Sequence, residues 1–238
     1  PSAYEQLKLH KLKYHAQQRA IPQAPDDPID WIKTLFPQLD KPFGTRHEEF
    51  YNHIDSIQPG IKPPAFFAVW ARGGTKSTSA EVANVRVGAK KVRKFGLYIR
   101  RTQDKANQSV QNIGEKIEQV SCYYPLLASR KLSKYGFSQG WRADMLRCEN
   151  GFNVLALGLD VPPRSIKLGN YRPDFMVFDD IDSITDSADT VRKIIDIITK
   201  SILPAGSNDV AVIGIQNLIH PDSVFSQIVD GRADFLLD

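Results

Sequence analysis

The sequence predicts an α/β fold, a mostly parallel sheet flanked by helices on both faces, and three observations predict it. Short apolar runs of strand length recur, at 65–71 (AFFAVWA), 94–100 (KFGLYIR), 174–178 (DFMVF) and 209–215 (DVAVIGI). Segments with helical spacing separate them, at 76–89, 104–120 and 188–201. The runs are nearly continuous rather than alternating, as in strands buried on both faces of a parallel sheet. Strand–helix alternation then puts the helices on those faces.

The bulk properties fit such a fold. The chain has 238 residues, enough for one sizeable core. Hydrophobic residues make up 42% and charged residues 24%, the balance of a soluble globular domain. No apolar run approaches the roughly 18 residues that would suggest a membrane span. No secretory signal is visible, and the start at Pro1 is expected of a processed or trimmed fragment. Cys122 and Cys148 lie far apart without metal-ligand spacing, so two buried or partly buried thiols are expected rather than a disulfide or a zinc site. The net charge of +4 permits a polyanionic partner without demanding one. The basic clusters at 8–19, 90–94 and 130–134 each read as a solvated face.

Taken in order, residues 3–20 read as a basic, polar helix, and Pro22, Pro25 and Pro28 interrupt it in a polar linker. Residues 28–36 and 45–57 read as short helices. AFFAVW is a strand, ARGGT a turn, and KSTSAEVANVRVGA a helix. After the strand KFGLYIR, the helix over 104–120 has Asp104 as its expected cap. DMLRC and FNVLAL flank Asn150-Gly151, a hairpin signal. DFMVF and DVAVIGI are buried strands, 188–201 is an amphipathic helix, and 222–229 is a last helix.

Ligands of such sheets sit at the carboxyl ends of the strands, and three of those ends carry chemistry. The first strand runs into Ala71-Arg72-Gly73-Gly74-Thr75-Lys76-Ser77-Thr78. A glycine-bearing turn before a helix aims backbone N–H groups at phosphates, Lys76 reaches the β- and γ-phosphates, and Ser77 offers a hydroxyl to Mg²⁺. The general pattern wants glycine at 70 and 75, where this chain has Trp70 and Thr75. Either Gly73 and Gly74 supply the conformational freedom, or Thr75 avoids the positive φ that strains a β-branched residue. An ordinary turn is the alternative reading. The strand DFMVF opens into Asp179-Asp180-Ile181-Asp182. One carboxylate there suits Mg²⁺ and the next suits orientation of an attacking water, against the alternative of an Asp-rich surface turn. The strand DVAVIGI ends in Gln216-Asn217, amides placed either to sense a γ-phosphate or to cap a turn.

The three segments, in this order, resemble the ATPase domain of viral (tailed-phage) large terminase subunits. ARGGTKST resembles the form of the family's Walker A loop that has an early arginine and a non-glycine before the lysine. YRPDFMVFDDID (171–182) resembles its Walker B motif, and AVIGIQNLIHPDSVFSQI (211–228) its coupling motif. GLYIRRTQDKANQSVQNI (96–113) and MLRCENGFNVLALGLDVPPR (145–164) resemble the segments between. The resemblance covers roughly residues 45 to 230.

The resemblance implies a P-loop NTPase of the RecA-like, ASCE type, with an N-terminal helical and linker segment over 1–44 and the motor over 45–238. It implies hydrolysis of ATP with Mg²⁺, coupled to translocation of double-stranded DNA into a procapsid. A helicase-like P-loop ATPase dependent on nucleic acid is the alternative. Arg72, Gly73, Gly74, Thr75, Lys76, Ser77 and Thr78 would hold the nucleotide with Gln216 and Asn217, and Ser77 and Asp179 the metal. Asp180 stands where many members have a catalytic glutamate, one methylene longer, and Asp182 is a second candidate. Arg72 would sense phosphate within the subunit. Arg164 would reach a neighbouring subunit's site, with Arg142 and Arg172 as alternatives. The implied partners are DNA, a portal, a small terminase subunit and further copies in a ring, with the isolated chain a monomer. The implied location is the host cytoplasm, with no membrane. The family's C-terminal nuclease domain is expected to lie outside this chain.

Overall fold

The computed structural model describes residues 21–39, 44–136, 138–162 and 166–233. The helix expected over 3–20 lies outside them. The described elements are α1 (Pro28–Leu35), α2 (Thr45–Ser56), β1 (Phe66–Val69), α3 (Lys76–Ala89), β2 (Phe95–Arg100) and α4 (Gln103–Gln119). They continue with the single turn α5 (Pro125–Ala128), β3 (Met145–Arg147), β4 (Asn153–Gly158), β5 (Phe175–Asp179), α6 (Ala188–Ile197), β6 (Ala211–Gln216) and α7 (Val224–Val229). The strands form one sheet in the order β1-β6-β5-β2-β4-β3. All neighbours are parallel except β3, which pairs antiparallel with β4. The α/β class and the mostly parallel sheet are as expected.

Alternate residues of the central strands feed two cores. Phe175, Val177, Ala211 and Ile213 face one side with α1, α2, α3 and α4. Met176, Phe178, Val210 and Val212 face the other with α6 and α7. With both faces covered, β5 and β6 read as unbroken apolar runs. β1 was expected to be a buried strand too. It stands at the end of the strand order, and Phe66 and Phe67 are only half-buried. Among the described residues, no helix is long and apolar enough to cross a membrane.

α3 is the central helix, buried nearly all round from Ser79 to Gly88 because α2 and α4 pack on it as well as the sheet. Its buried charges are paired. Glu81 meets Lys116 at 2.7 Å, and Arg86 meets Asp55 at 2.9 Å while stacking over Trp31 at 5.0 Å. Through Trp31 and Ile32, α1 belongs to the same core.

Local expectations need four corrections. The cap of α4 is Thr102, whose hydroxyl accepts from the Lys105 N–H, and Asp104 lies within the first turn. The helix expected over 188–201 ends at Ile197 and widens into a π turn over Ile198–Ile202 before Pro204. The basic run at 90–94 is not wholly solvated. Arg93 is 2% exposed and donates to the carbonyls of Gln58, Ile61 and Asp209, tying the segment before β1 to that before β6. Cys148 is buried, but Cys122 is exposed.

Candidate functional site

Strand register brings the three chemical strand ends to one edge of the sheet. Val69 lies opposite Gln216, and Ile215 opposite Asp179. β6 therefore separates the strand that leads into the 71–75 loop from the strand that ends in carboxylates. Side chains close that gap: the Ser77 hydroxyl donates to Asp179 Oδ1 at 3.1 Å.

The loop turns sharply, with the Gly74 N–H bonded to the Ala71 carbonyl at 3.2 Å. Gly73 takes φ 80°, whereas Gly74 has no positive φ. Thr75 does take the left-handed conformation, at φ 58° and ψ 25°. Of the two alternatives offered by the sequence, the one in which Thr75 avoids that dihedral is thereby ruled out, and of the two glycines Gly73 takes a positive φ. A non-glycine residue in such a conformation costs about 1–3 kcal/mol and persists only where its surroundings hold it. Here its hydroxyl donates to the Gly74 carbonyl at 2.7 Å, and His47 of α2 abuts both atoms. The turn delivers the chain into α3 with no side chain capping the first helical N–H groups, which leaves that end suited to an anion. Lys76 folds back so that Nζ donates to the Ala71 carbonyl at 3.1 Å.

The aspartates after β5 stand in different surroundings. Asp179 is fully buried and accepts from Ser77 and from the Tyr98 hydroxyl, the latter at 3.0 Å. Burial pushes its carboxyl above the usual range, against the pull of the Arg100 charge and of those two hydrogen bonds. Asp180 takes φ 52°, a left-handed turn that aspartate tolerates, and its carboxylate is partly exposed on the cleft wall. Asp182 turns inward. Its two oxygens accept from the backbone N–H groups of Val224 and Phe225 and from the Gln216 amide. With Ser223 it secures the N-terminus of α7, and these three bonds commit both of its oxygens to structure, which makes it the poorer candidate base although it also borders the cleft. Asp186 pairs with Arg101, and Asp189 with Arg192. The Asp-rich turn is thus largely structural, and Asp179 and Asp180 are its two members at the Ser77 end.

Gln216 is buried and faces away from solvent. Its carbonyl accepts from the Ile181 and Asp182 N–H groups at 2.7 and 3.3 Å, and its amide donates to Asp182 at 2.7 Å. It joins the end of β6 to the loop after β5 rather than touching the cleft, which Asn217 does. Arg72, Gly73, Lys76, Ser77, Asp180, Asp182 and Asn217 are among the residues that line an open cleft of about 690 Å³, with Ile184, Leu218 and Ile219 at its apolar side. Thr78 lies one residue deeper along α3.

Arg164 lies outside the described residues. Arg142 is exposed and pairs with Asp144 at 3.1 Å. Arg172 precedes β5, at the opposite edge of the sheet from the cleft, and donates to the Pro204 carbonyl at 3.2 Å.

Four contributors escape a reading by motif. Arg100, at the end of β2, approaches Asp179 at 3.4 Å and Asp180 at 3.7 Å. Arg101 anchors the loop after Asp180 through Asp186. Tyr98 and His47 touch Asp179 and Thr75 from distant parts of the chain. For Arg100, the signal available was its place at the carboxyl end of a central strand.

The donors suit a hard cation that carries phosphate. Among the described residues, no three His, Cys, Asp or Glu side chains gather to hold a metal by themselves. A serine hydroxyl and one carboxylate are what Mg²⁺ takes from a protein when phosphates and waters complete its shell. No protein-family model matches this sequence, and no curated protein matches it.

Proposed function

We propose that this chain is a Mg²⁺-dependent P-loop ATPase of the RecA-like, ASCE type, and that it drives double-stranded DNA as the motor of a viral large terminase. The ATPase reading rests above all on the Ser77–Asp179 contact at 3.1 Å, which crosses β6 and joins the loop to the buried carboxylate. The DNA reading rests on the resemblance of 171–182 and 211–228 to terminase motifs. It also proposes a portal, a small terminase subunit and a ring of copies in the host cytoplasm.

Ser77 and Asp179 would hold Mg²⁺, which when bound neutralises phosphate charge. Lys76 leaves the Ala71 carbonyl for the β- and γ-phosphate oxygens, and the first N–H groups of α3 face the same anion. Arg72 contacts the terminal phosphate from the loop. Asp180, partly exposed beside Arg100, orients the attacking water and draws off its proton. Asn217 stands at the cleft wall, and Gln216 and Asp182 link that wall to the N-terminus of α7. Loss of the γ-phosphate thereby has a mechanical route to a helix outside the site.

Calorimetric titration with Mg²⁺–ATPγS tests the nucleotide site. The expected result is one saturable site, lost with EDTA and lost in Lys76→Ala at unchanged circular dichroism. Equal binding by wild type and Lys76→Ala would remove the assignment of the loop.

A further inference from the structure

The structure assigns His47 of α2 as a positioning residue that locks the left-handed Thr75, and with it the aim of the loop toward phosphate. The assignment rests on the phosphate-loop reading above and extends the site to an element that no motif includes.

The tautomer follows from the contacts. The Gly44 N–H donates to His47 Nδ1 at 3.2 Å, so in the neutral ring the proton sits on Nε2. Nε2 lies 3.3 Å from Thr75 Oγ1 and 3.4 Å from the Gly74 carbonyl. Because the Thr75 hydroxyl donates to that carbonyl, its lone pairs are turned to accept from His47. The ring has little freedom to leave. It lies against buried Trp70 at a centroid distance of 4.5 Å, and Phe50, one turn further along α2, packs on the same Trp70 ring at 5.6 Å. The Trp70 backbone is itself fixed by its main-chain N–H, which donates to the main-chain carbonyl of Gln216 at 3.0 Å.

The need for such a clasp comes from the sequence. Glycine at 75 would take the left-handed turn unaided, whereas threonine must be held there. Thr75 also makes no side-chain cap to α3 that would fix it locally. A substituent from α2 supplies the restraint, and the phosphate-facing N–H groups follow directly after it.

A double-mutant cycle tests this, with the Mg²⁺–ATPγS dissociation constant as readout and urea denaturation as the check on folding. His47→Ala should weaken binding about tenfold, the scale of one hydrogen bond. In a Thr75→Gly background the same substitution should leave binding unchanged, because glycine does not need the clasp. An equal loss in both backgrounds overturns the assignment and makes His47 a general stabiliser. Unchanged binding by His47→Ala, with Lys76→Ala still defective, also overturns it and leaves the phosphate-loop reading intact. If Lys76→Ala binds as wild type does, that reading fails and the role of His47 falls with it. Should His47→Ala not fold, His47→Phe, which keeps a ring against Trp70 but has no donor, replaces it in the cycle.

Discussion

Asp180 and Asp182 lie two residues apart, yet their substitution should have opposite consequences. Asp182 is buried and holds Val224, Phe225 and Gln216. Asp182→Asn places an amide against backbone donors, so it should destabilise the fold by about 1–3 kcal/mol in urea denaturation. Asp180 is partly exposed, and Asp180→Asn should change stability by less than about 0.5 kcal/mol. It should instead slow turnover while sparing Mg²⁺–ATPγS binding. If Asp180→Asn hydrolyses ATP normally and Asp182→Asn folds normally but does not, the base has been misassigned. The cysteines also separate at this scale. Cys148 is buried and its thiol is pushed up to about 12, whereas Cys122 is exposed. A thiol reagent at neutral pH should therefore label one site in the native protein and two in urea, and peptide mapping should find the native label at Cys122. The residue run alone does not sort these groups. Asp179, Asp180 and Asp182 look alike in sequence, and their partners Tyr98 and Val224 lie 81 and 42 positions from them.

Among elements, β6 sets the geometry of the site because it spaces β1 from β5. Gly214 lies in β6 between Phe67 of β1 and Phe178 of β5 in register. A Cβ there would meet the Phe67 ring at 2.3 Å and Phe225 at 3.0 Å. Gly214→Ala should then cost about 1–3 kcal/mol in thermal or urea unfolding, as an overpacked core does. It should also weaken nucleotide binding, since the β1–β6 spacing carries the reach from Ser77 to Asp179. An unperturbed melting temperature would contradict this packing. The elements themselves were the most legible part of the sequence, because strand and helix periods are local. DVAVIGI and DFMVF are buried strands, and KSTSAEVANVRVGA is the helix Lys76–Ala89. Strand order was not legible. Nothing in AFFAVW says that its neighbour is β6, at the far end of the chain, and that it ends the strand order. His47 escaped for the same reason, since only tertiary packing brings α2 to the loop.

At the scale of the molecule, the two cores make the sheet a rigid plate whose one carboxyl edge bears Ser77, Asp179 and Asp180. Arg100 serves that edge from within the chain. The proposed motor also takes an arginine from a neighbouring copy, Arg164 by resemblance, and such contacts are worth on the order of 10³–10⁵ in rate in other nucleotide hydrolases. Dilute protein should accordingly bind ATP but hydrolyse it slowly. The most direct test is phosphate release from Mg²⁺–ATP, followed across protein concentration with and without linear double-stranded DNA, for wild type and Lys76→Ala. The account predicts hydrolysis that rises more than linearly with concentration, increases with DNA and vanishes in Lys76→Ala. Hydrolysis that ignores DNA and survives Lys76→Ala, or its absence at every concentration, would contradict it.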